Sequence, residues 1–282
     1  MMKAGKSTEE PEGGKRVRSS GLTPFGGRRT AAVVLPPAGD DALRSATSQI
    51  WASLPPVPLD SKSAAGRHLI ATHRDDPVGL LYDHLRTRLL HALSERGWRR
   101  VAITAPTRGC GTTTVAANLA LSLARRPSGR TALLDFDLRR PSLHKRFGVT
   151  EPGVMRDLLT GQNAVESHFL RYGRNLALGL NQQAESDSAE LLQEPSTALA
   201  LDHMVEDLRP DVILYDLPPL LESDDVFGFL PEVDGVLLVT DGKRSVPADI
   251  RRCEDMIRER SELIGVVLNR ADDSPARRRR WF

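Results

Sequence analysis

Eight residues, TRGCGTTT at 107–114, have the composition and position of a phosphate-binding loop. They follow an apolar run, VAITA at 101–105, and precede a helical pattern that begins at Val115. In a parallel α/β sheet such a loop faces the ligand, where free backbone N–H groups and a helix N-terminus attract phosphate. Glycines let the backbone approach the phosphates closely, although a tight strand-to-helix turn alone explains the same spacing. From this loop we predict the following nucleotide-binding residues: Arg108, Gly109, Cys110, Gly111, Thr112, Thr113 and Thr114.

A second motif, ALLDFDLRRP at 132–141, places acidic and basic residues just past an apolar strand. Two carboxylates at such a strand end can hold Mg²⁺ or its bound waters. Arginines next to them can meet phosphate oxygens with two parallel hydrogen bonds. The alternative is a turn with solvated charges. The motif predicts three catalytic residues: Asp135, Asp137 and Arg139.

A third motif, VILYDLPP at 212–219, ends an apolar strand in Asp216 and two prolines. It has the form of a Walker B strand, whose acid lies opposite the phosphate loop and holds the metal. The hydroxyl of Thr113 occupies the position of the loop's own Mg²⁺ ligand. Each motif alone is commonplace, but the three in this order, each after a buried strand, favour a nucleotide site. The predicted metal ligands are Thr113, Asp135, Asp137 and Asp216.

Short apolar runs alternate with helical patterns from about residue 77 onward, and several of these runs are almost wholly apolar. Such runs are typical of parallel strands with helices on both faces. The prediction is an α/β fold with a doubly wound, mostly parallel sheet over residues 66–272. Residues 1–65 are rich in Gly, Pro, Ser and charge and predict a disordered or linker tail, with a short helix around 42–52. Residues 273–282 form a basic-aromatic C-terminal tail.

Composition narrows the function classes. The 282 residues are 40% apolar and carry a formal net charge of +2, so bulk charge does not require a nucleic-acid partner. Only two cysteines are present, far apart in sequence, which argues against a disulfide framework. The sequence has neither a signal-type segment nor a membrane-spanning apolar run. We therefore expect a cytoplasmic protein with no specific nucleic-acid partner.

The three motifs together resemble the bacterial tyrosine kinases of capsule and exopolysaccharide assembly, which are P-loop NTPases. The Asp-x-Asp-x-Arg pattern of that family is matched by Asp135, Asp137 and Arg139, and its Asp-Ser/Thr-Pro-Pro pattern is matched at Asp216, Pro218 and Pro219. The resemblance also places Asn269 and Arg270, at the end of GVVLNR, near the adenine. It implies ATP and Mg²⁺ as cofactors, phosphoryl transfer to tyrosines, and a membrane polysaccharide co-polymerase as partner at the inner membrane. A homo-oligomer is also compatible with it.

Four positions depart from the family pattern. Thr112 replaces the loop lysine, no lysine occurs between Lys62 and Lys145, and the loss of that charge is expected to weaken binding or transfer. The usual C-terminal tyrosine cluster is absent, since the three tyrosines lie earlier in the chain. The subunit-contact motif falls on Leu80, Asp83 and Arg86 and keeps only its last residue. Leu217 replaces the Walker B hydroxyl residue.

Three functions remain open at this level. The first is a kinase-like regulator of polysaccharide synthesis or export with weakened or lost phosphoryl transfer. The second is an active kinase or ATPase in which Arg108, Arg139 or Arg140 replaces the lysine. The third is a partition or cell-division type ATPase. Two features carry lesser alternatives: Cys110 as a redox-sensitive thiol, and Arg277–Phe282 as either a lipid-docking segment or a solvated tail.

Overall fold

The alternation of apolar runs and helical patterns resolves into one twisted sheet between two layers of helices. The computed structural model describes residues 38–57, 67–72 and 76–271. Within those residues the strands are β1 Arg100–Thr104, β2 Thr131–Asp135, β3 Leu170–Tyr172, β4 Leu176–Gly179, β5 Val212–Asp216, β6 Gly235–Asp241 and β7 Leu263–Asn269. Their order in the sheet is β3-β4-β2-β5-β1-β6-β7, and every neighbouring pair is parallel except β3 with β4. The predicted doubly wound, mostly parallel sheet is confirmed.

Helices connect the strands and cover both faces of the sheet. In the described ranges they are α1 Ala38–Ser53, α2 Pro77–Arg96, α3 Thr112–Ala124, α4 Leu143–Phe147, α5 Met155–Leu159, α6 Val165–His168, α7 Ser188–Gln193, α8 Pro195–Leu208, α9 Asp224–Phe229 and α10 Pro247–Arg258. Short 3-10 helices add Ile70–Thr72 and Leu230–Glu232. Every residue of the central strands β2, β5 and β6 is buried, which is why these segments are so uniformly apolar.

Helix α2 shows how local sequence sets its limits. The Asp76 side chain accepts hydrogen bonds from the N–H groups of Val78 and Gly79, and Pro77 occupies the first helical turn. At the other end Gly97 adopts φ +69°, a left-handed conformation that glycine tolerates and that ends the helix. These local signals set the bounds of α2 at Pro77 and Arg96.

The segment before residue 58 differs from the prediction of a tail over residues 1–65. Helix α1 is longer than the predicted short helix, and Trp51, at 3% exposure, packs into the main apolar core. The indole N–H donates to the backbone oxygen of Leu208 at 2.8 Å, which ties α1 to α8. Backbone bonds from Val57 to Arg171 and from Arg171 to Pro55 continue the attachment along β3. Composition did not predict this packing, because a single tryptophan supplies a large buried apolar area in an otherwise polar, proline-rich segment.

Two further differences concern the edges of the fold. Strand β3 was not predicted; it is only three residues long and pairs antiparallel at the sheet edge, where short strands leave little periodicity to detect. The predicted C-terminal tail at 273–282, with Arg277–Phe282, lies outside the described residues, as do residues 1–37.

Candidate functional site

The phosphate loop joins β1 to α3 and has the backbone shape its glycines predict. Gly109 and Gly111 have φ of +90° and +91°, values that L side chains rarely adopt. In the part of the chain that the structure describes, the backbone N–H groups of 109–113 have no protein acceptor. They lie at the N-terminus of the 13-residue helix α3. A run of free N–H groups at a helix N-terminus attracts anions.

Thr112 and Thr114 take ordinary positions in the first turn of α3. Thr112 is the first helical residue and is half-buried. The backbone oxygen of Thr114 accepts from the Asn118 amide at 2.8 Å. Cys110 is buried at 1% exposure, and its sulfur lies 3.5 Å from the hydroxyl of Ser245. Cys110 of the loop therefore lies against Ser245, which belongs to the connection between β6 and α10.

Three predicted acids meet at the carboxyl end of the central strands. Asp135 on β2 is the register partner of Asp216 on β5, and both are at most 1% exposed. Asp137 follows β2 and is 6% exposed. One oxygen of Asp135 accepts from the N–H groups of Ser142 and Leu143 at 3.0 and 2.9 Å, which anchors the start of α4. The parallel topology thus brings the second and third motifs together as predicted.

Burial dominates the ionisation of these acids. It raises the pKa of Asp135 to about 8, against the opposing effect of its backbone hydrogen bonds. Burial also raises the pKa of Asp216 well above its usual range, and the charge of Asp135 adds to this rise. Burial likewise raises the pKa of Asp137, which the Arg108 guanidinium lowers in part. Perturbed acids grouped beside a phosphate-type loop are a recognised mark of a functional site.

The unpaired oxygens of these acids fit a divalent cation. Oδ1 of Asp135 and both carboxylate oxygens of Asp216 are buried without a geometrically acceptable hydrogen bond, although the Thr113 hydroxyl lies close enough to lower the pKa of Asp216. Leaving buried oxygens unpaired is costly. In the described residues, no three His, Cys, Asp or Glu side chains form a ready-made metal cage. Mg²⁺ needs no such cage, because it retains waters and binds one or two carboxylates together with phosphate.

The predicted arginines separate in the structure. Nη1 of Arg108 lies 2.9 Å from Asp137, and its backbone N–H donates to Glu222 at 2.6 Å. Arg139 instead turns to α9, where its Nε donates to both oxygens of Asp225 at 3.1 Å. Arg108 therefore joins the loop to the acids, whereas the Arg139 side chain is engaged elsewhere.

Two residues at the end of β7 donate hydrogen bonds to backbone oxygens of the phosphate loop. The Asn269 amide donates to the oxygen of Cys110, and Nη1 of Arg270 donates to the oxygen of Gly109, both at 2.8 Å. Arg270 also pairs with Asp241 at 2.7 Å. The same two residues help line a cavity of about 580 Å³, together with Val78, Leu81, Tyr82, Val115, Val266 and Leu268. Its volume is in the range of small-molecule sites.

Comparison with known proteins adds independent evidence. Residues 99–273 match the family model described as ParA, an NUBPL iron-transfer P-loop NTPase. The solved VpsO kinase domain is 30% identical, with a TM-score of 0.59, and the match covers 70% of this chain and 98% of that domain. The chain belongs to the bacterial tyrosine kinase family of P-loop NTPases.

Other members of the bacterial tyrosine kinase family match over different shares of their length. EpsB of Ralstonia nicotianae, named as a tyrosine-protein kinase, is 32% identical over 218 residues, which is 75% of this chain and 28% of EpsB. Tyrosine-protein kinase YwqD of Bacillus subtilis is 27% identical, with 67% of this chain and 79% of YwqD covered. The chain therefore spans little more than a quarter of EpsB. None of the helices described here is long and apolar enough to cross a membrane.

The positions of the family's subunit-contact motif are used within this chain. Asp83 on α2 forms ion pairs with Arg86 and with Arg125, the residue that follows α3, and it accepts a hydrogen bond from Ser122. Its pKa is lowered by these partners, which outweigh its desolvation. Arg86, the retained motif residue, also donates to the backbone oxygen of Ser122 at 3.0 Å.

Sequence reasoning missed the connection between β6 and α10. Asp241, Arg244 and Ser245 all reach the phosphate loop or its neighbours. Glu222 was also missed, although it receives the Arg108 backbone N–H. Their only sequence signal was position, because each lies at or after the carboxyl end of a buried parallel strand.

Proposed function

We propose that this chain is a Mg²⁺-nucleotide-binding, tyrosine-kinase-like protein of exopolysaccharide or capsule biosynthesis or export, with weakened phosphoryl transfer. The observation that carries the proposal is a group of buried, unpaired carboxylate oxygens beside a phosphate-type loop that has no lysine. Asp135 and Asp216 keep unpaired buried oxygens, while Thr112 stands at the lysine position. A carboxylate group kept at a cost in stability is expected to have a ligand.

In this proposal the loop and the acids share the ligand. The free N–H groups of 109–113 bind phosphate oxygens at the positive end of α3. Asp135, Asp216 and the Thr113 hydroxyl hold Mg²⁺, which supplies charge neutralisation for the phosphates when bound. Asp137 lies beside these metal-binding residues and forms an ion pair with Arg108. The cavity that contains Asn269 and Arg270 receives the nucleoside.

Weakened transfer follows from the missing charge. A unit charge at about 4 Å in an effective dielectric near 20 contributes about 4 kcal/mol. Loss of such a contact lowers affinity or rate by up to about a thousandfold. Thr112 brings no charge, so the chain is proposed to bind nucleotide more securely than it transfers phosphate.

The proposed partner is a membrane polysaccharide co-polymerase, with the chain lying at the cytoplasmic side of the inner membrane. Membership of the bacterial tyrosine kinase family supports this. The engagement of Asp83 and Arg86 inside the subunit favours action through such a partner over a ring of identical subunits. In this proposal the chain regulates the co-polymerase according to whether the chain has nucleotide bound.

A second candidate is an active kinase or ATPase in which an arginine replaces the lysine. The number of arginines near the loop favours it, since both Arg108 and Arg270 contact loop residues or the acids. The partition ATPase alternative shares the core that the ParA model matches, but the Asp-x-Asp-x-Arg-Arg-Pro motif favours the kinases.

Calorimetric titration of the purified chain with Mg-ATP and Mg-ADP, with and without EDTA, tests the proposal. We expect Mg²⁺-dependent binding with little turnover in a radiolabelled ATP transfer assay. Absence of binding at millimolar nucleotide would overturn the proposal. Transfer at a rate ordinary for a kinase, about 1–100 s⁻¹, would instead support the second candidate.

A further inference from the structure

Two of the three arginines predicted to replace the loop lysine, Arg108 and Arg139, are already engaged by carboxylates, and so is Arg270 beside the loop. Arg108 is paired with Asp137 at 2.9 Å, and Arg139 binds Asp225 through two nitrogens. Arg270 is paired with Asp241 at 2.7 Å. A guanidinium whose charge is balanced this closely has less to offer an incoming phosphate, because it must first give up its carboxylate.

Arg244 differs from these three. It lies in the connection between β6 and α10, is exposed, and among the described residues its side chain has no carboxylate partner. Its Nη1 lies so close to Gly109 that a Cβ added at this glycine would collide with it. Arg244 therefore puts an unbalanced positive charge directly against the loop that carries the free N–H groups.

The connection that carries Arg244 is fixed to the loop by its neighbours. The Ser245 hydroxyl accepts from the N–H of Asp241 at 2.9 Å and lies 3.5 Å from the Cys110 sulfur. Asp241 accepts from the N–H of Lys243 at 2.7 Å and from Arg270, which itself binds the oxygen of Gly109. These contacts fix the backbone at Arg244 beside the loop, with its guanidinium against Gly109.

We propose that Arg244 binds the phosphates of the nucleotide and supplies the cation that Thr112 lacks. This inference rests on the proposed nucleotide-binding function and adds a binding residue to it. A guanidinium offers a planar fork of donors that matches phosphate oxygens. Because it approaches from a different connection than a loop lysine, it replaces the lysine's charge without its position.

The decisive comparison is Arg244→Ala against Lys243→Ala. The two residues are adjacent and exposed, and both carry a positive charge, but among the described residues the side chain of Lys243 forms no hydrogen bond or ion pair with the loop. We expect Arg244→Ala to weaken Mg-ADP and Mg-ATP binding by about tenfold to a hundredfold. Lys243→Ala should change it by less than about threefold, since an exposed charge without a bond to the loop is screened by salt. Equal, small effects of the two would overturn the inference.

Arg140→Ala provides a competing arm, because Arg140 is also exposed and lies next to the acids. A loss of affinity in Arg140→Ala with none in Arg244→Ala would assign the cation to Arg140 and overturn the proposal. Urea unfolding of each variant checks folding, and Arg244→Lys should retain part of the affinity because it keeps the charge without the fork.

A double-mutant cycle that combines Arg244→Ala with Thr112→Lys separates a role in phosphate binding from a structural role. Thr112→Lys should restore affinity strongly in the Arg244→Ala background and less in the wild type, because the two charges serve the same phosphates. Equal gains in both backgrounds would contradict shared function. If the wild-type chain binds no Mg-nucleotide at all, the proposed function itself fails; if it binds and Arg244→Ala binds equally well, only the assignment of Arg244 fails.

Discussion

Asp135 and Asp216 face each other as register partners on the parallel strands β2 and β5, with both carboxyl groups buried. Burial raises the pKa of both, and the charge of Asp135 raises that of Asp216 further. The folded chain therefore keeps protons at pH values where the unfolded chain has released them. A raised acid pKa makes stability fall as pH rises from the unfolded pKa to the folded one.

The first prediction is a pH-dependent effect of Asp135→Asn. With EDTA present, wild-type stability should fall as pH rises from about 4, the pKa of an unperturbed aspartate, to about 8, the pKa of buried Asp135. At pH near 8 the variant should be more stable by about 2–4 kcal/mol, and near pH 4 this difference should vanish. Urea unfolding across the range measures it. Asp255→Asn, at an exposed position, is the control, and a pH-independent difference for Asp135→Asn would contradict the prediction.

The second prediction concerns the metal. Because both oxygens of Asp216 are unpaired, we expect Mg²⁺ to strengthen nucleotide binding at least about tenfold in the wild type. Asp216→Asn should remove this Mg²⁺ dependence while leaving metal-free binding unchanged, since the backbone N–H groups of the loop bind the phosphates without the metal. Paired titrations in Mg²⁺ and in EDTA measure the effect. The surface variant Asp255→Asn should behave as wild type, and an undiminished Mg²⁺ effect in Asp216→Asn would remove Asp216 from the metal site.

The third prediction tests the lost lysine. Thr112→Lys places a cation at the first residue of α3, where Thr112 is only half-buried. We expect tighter Mg-ATP binding by about tenfold or more and faster phosphoryl transfer. Thr112→Gln, long but uncharged, is the matched control in titration and transfer assays. Similar behaviour of the Lys and Gln variants would mean that charge at 112 is not what limits this loop.

The fourth prediction separates structure from catalysis at Arg139. Asp225 is fully buried, and Arg139 and the Ser188 hydroxyl are its side-chain partners among the described residues. Arg139→Ala leaves that charge unpaired, so we expect a loss of about 3–5 kcal/mol in unfolding free energy. Asp225→Asn in the same chain should recover much of it. Urea unfolding of the four-member cycle measures the coupling. A stable Arg139→Ala variant defective only in phosphoryl transfer would return Arg139 to the catalytic group.

The sequence predicted what depends on local pattern and strand order. The glycines of the loop, Asp135 and Asp216 were found because parallel strands bring successive strand ends to one edge. The partners of the arginines were not found. From the sequence, Arg139 could equally bind phosphate or Asp225, which lies 86 positions later in the chain. No local pattern distinguishes these two partners. Arg244 lay in a connection without a motif, so only the contact with Gly109 revealed it.

The fifth prediction concerns the amino-terminal segment, where composition gave the wrong impression for residues 38–57. Trp51 is 3% exposed, donates to the backbone of Leu208, and lies under the Arg130 guanidinium at 5.3 Å. Trp51→Ala should lower the unfolding free energy by about 3–5 kcal/mol because it leaves a large cavity between α1 and α8.

Trp51→Phe is the matched variant, since it keeps an aromatic ring but loses the N–H donor. It should cost only about 1–3 kcal/mol, from a smaller cavity and one unpaired buried carbonyl. Urea unfolding measures both variants, and nucleotide titration at low temperature should give wild-type affinity for each, since Trp51 lies in the core and away from the loop. A Trp51→Ala chain as stable as wild type would mean that α1 contributes nothing to the fold and that the packed unit begins after it.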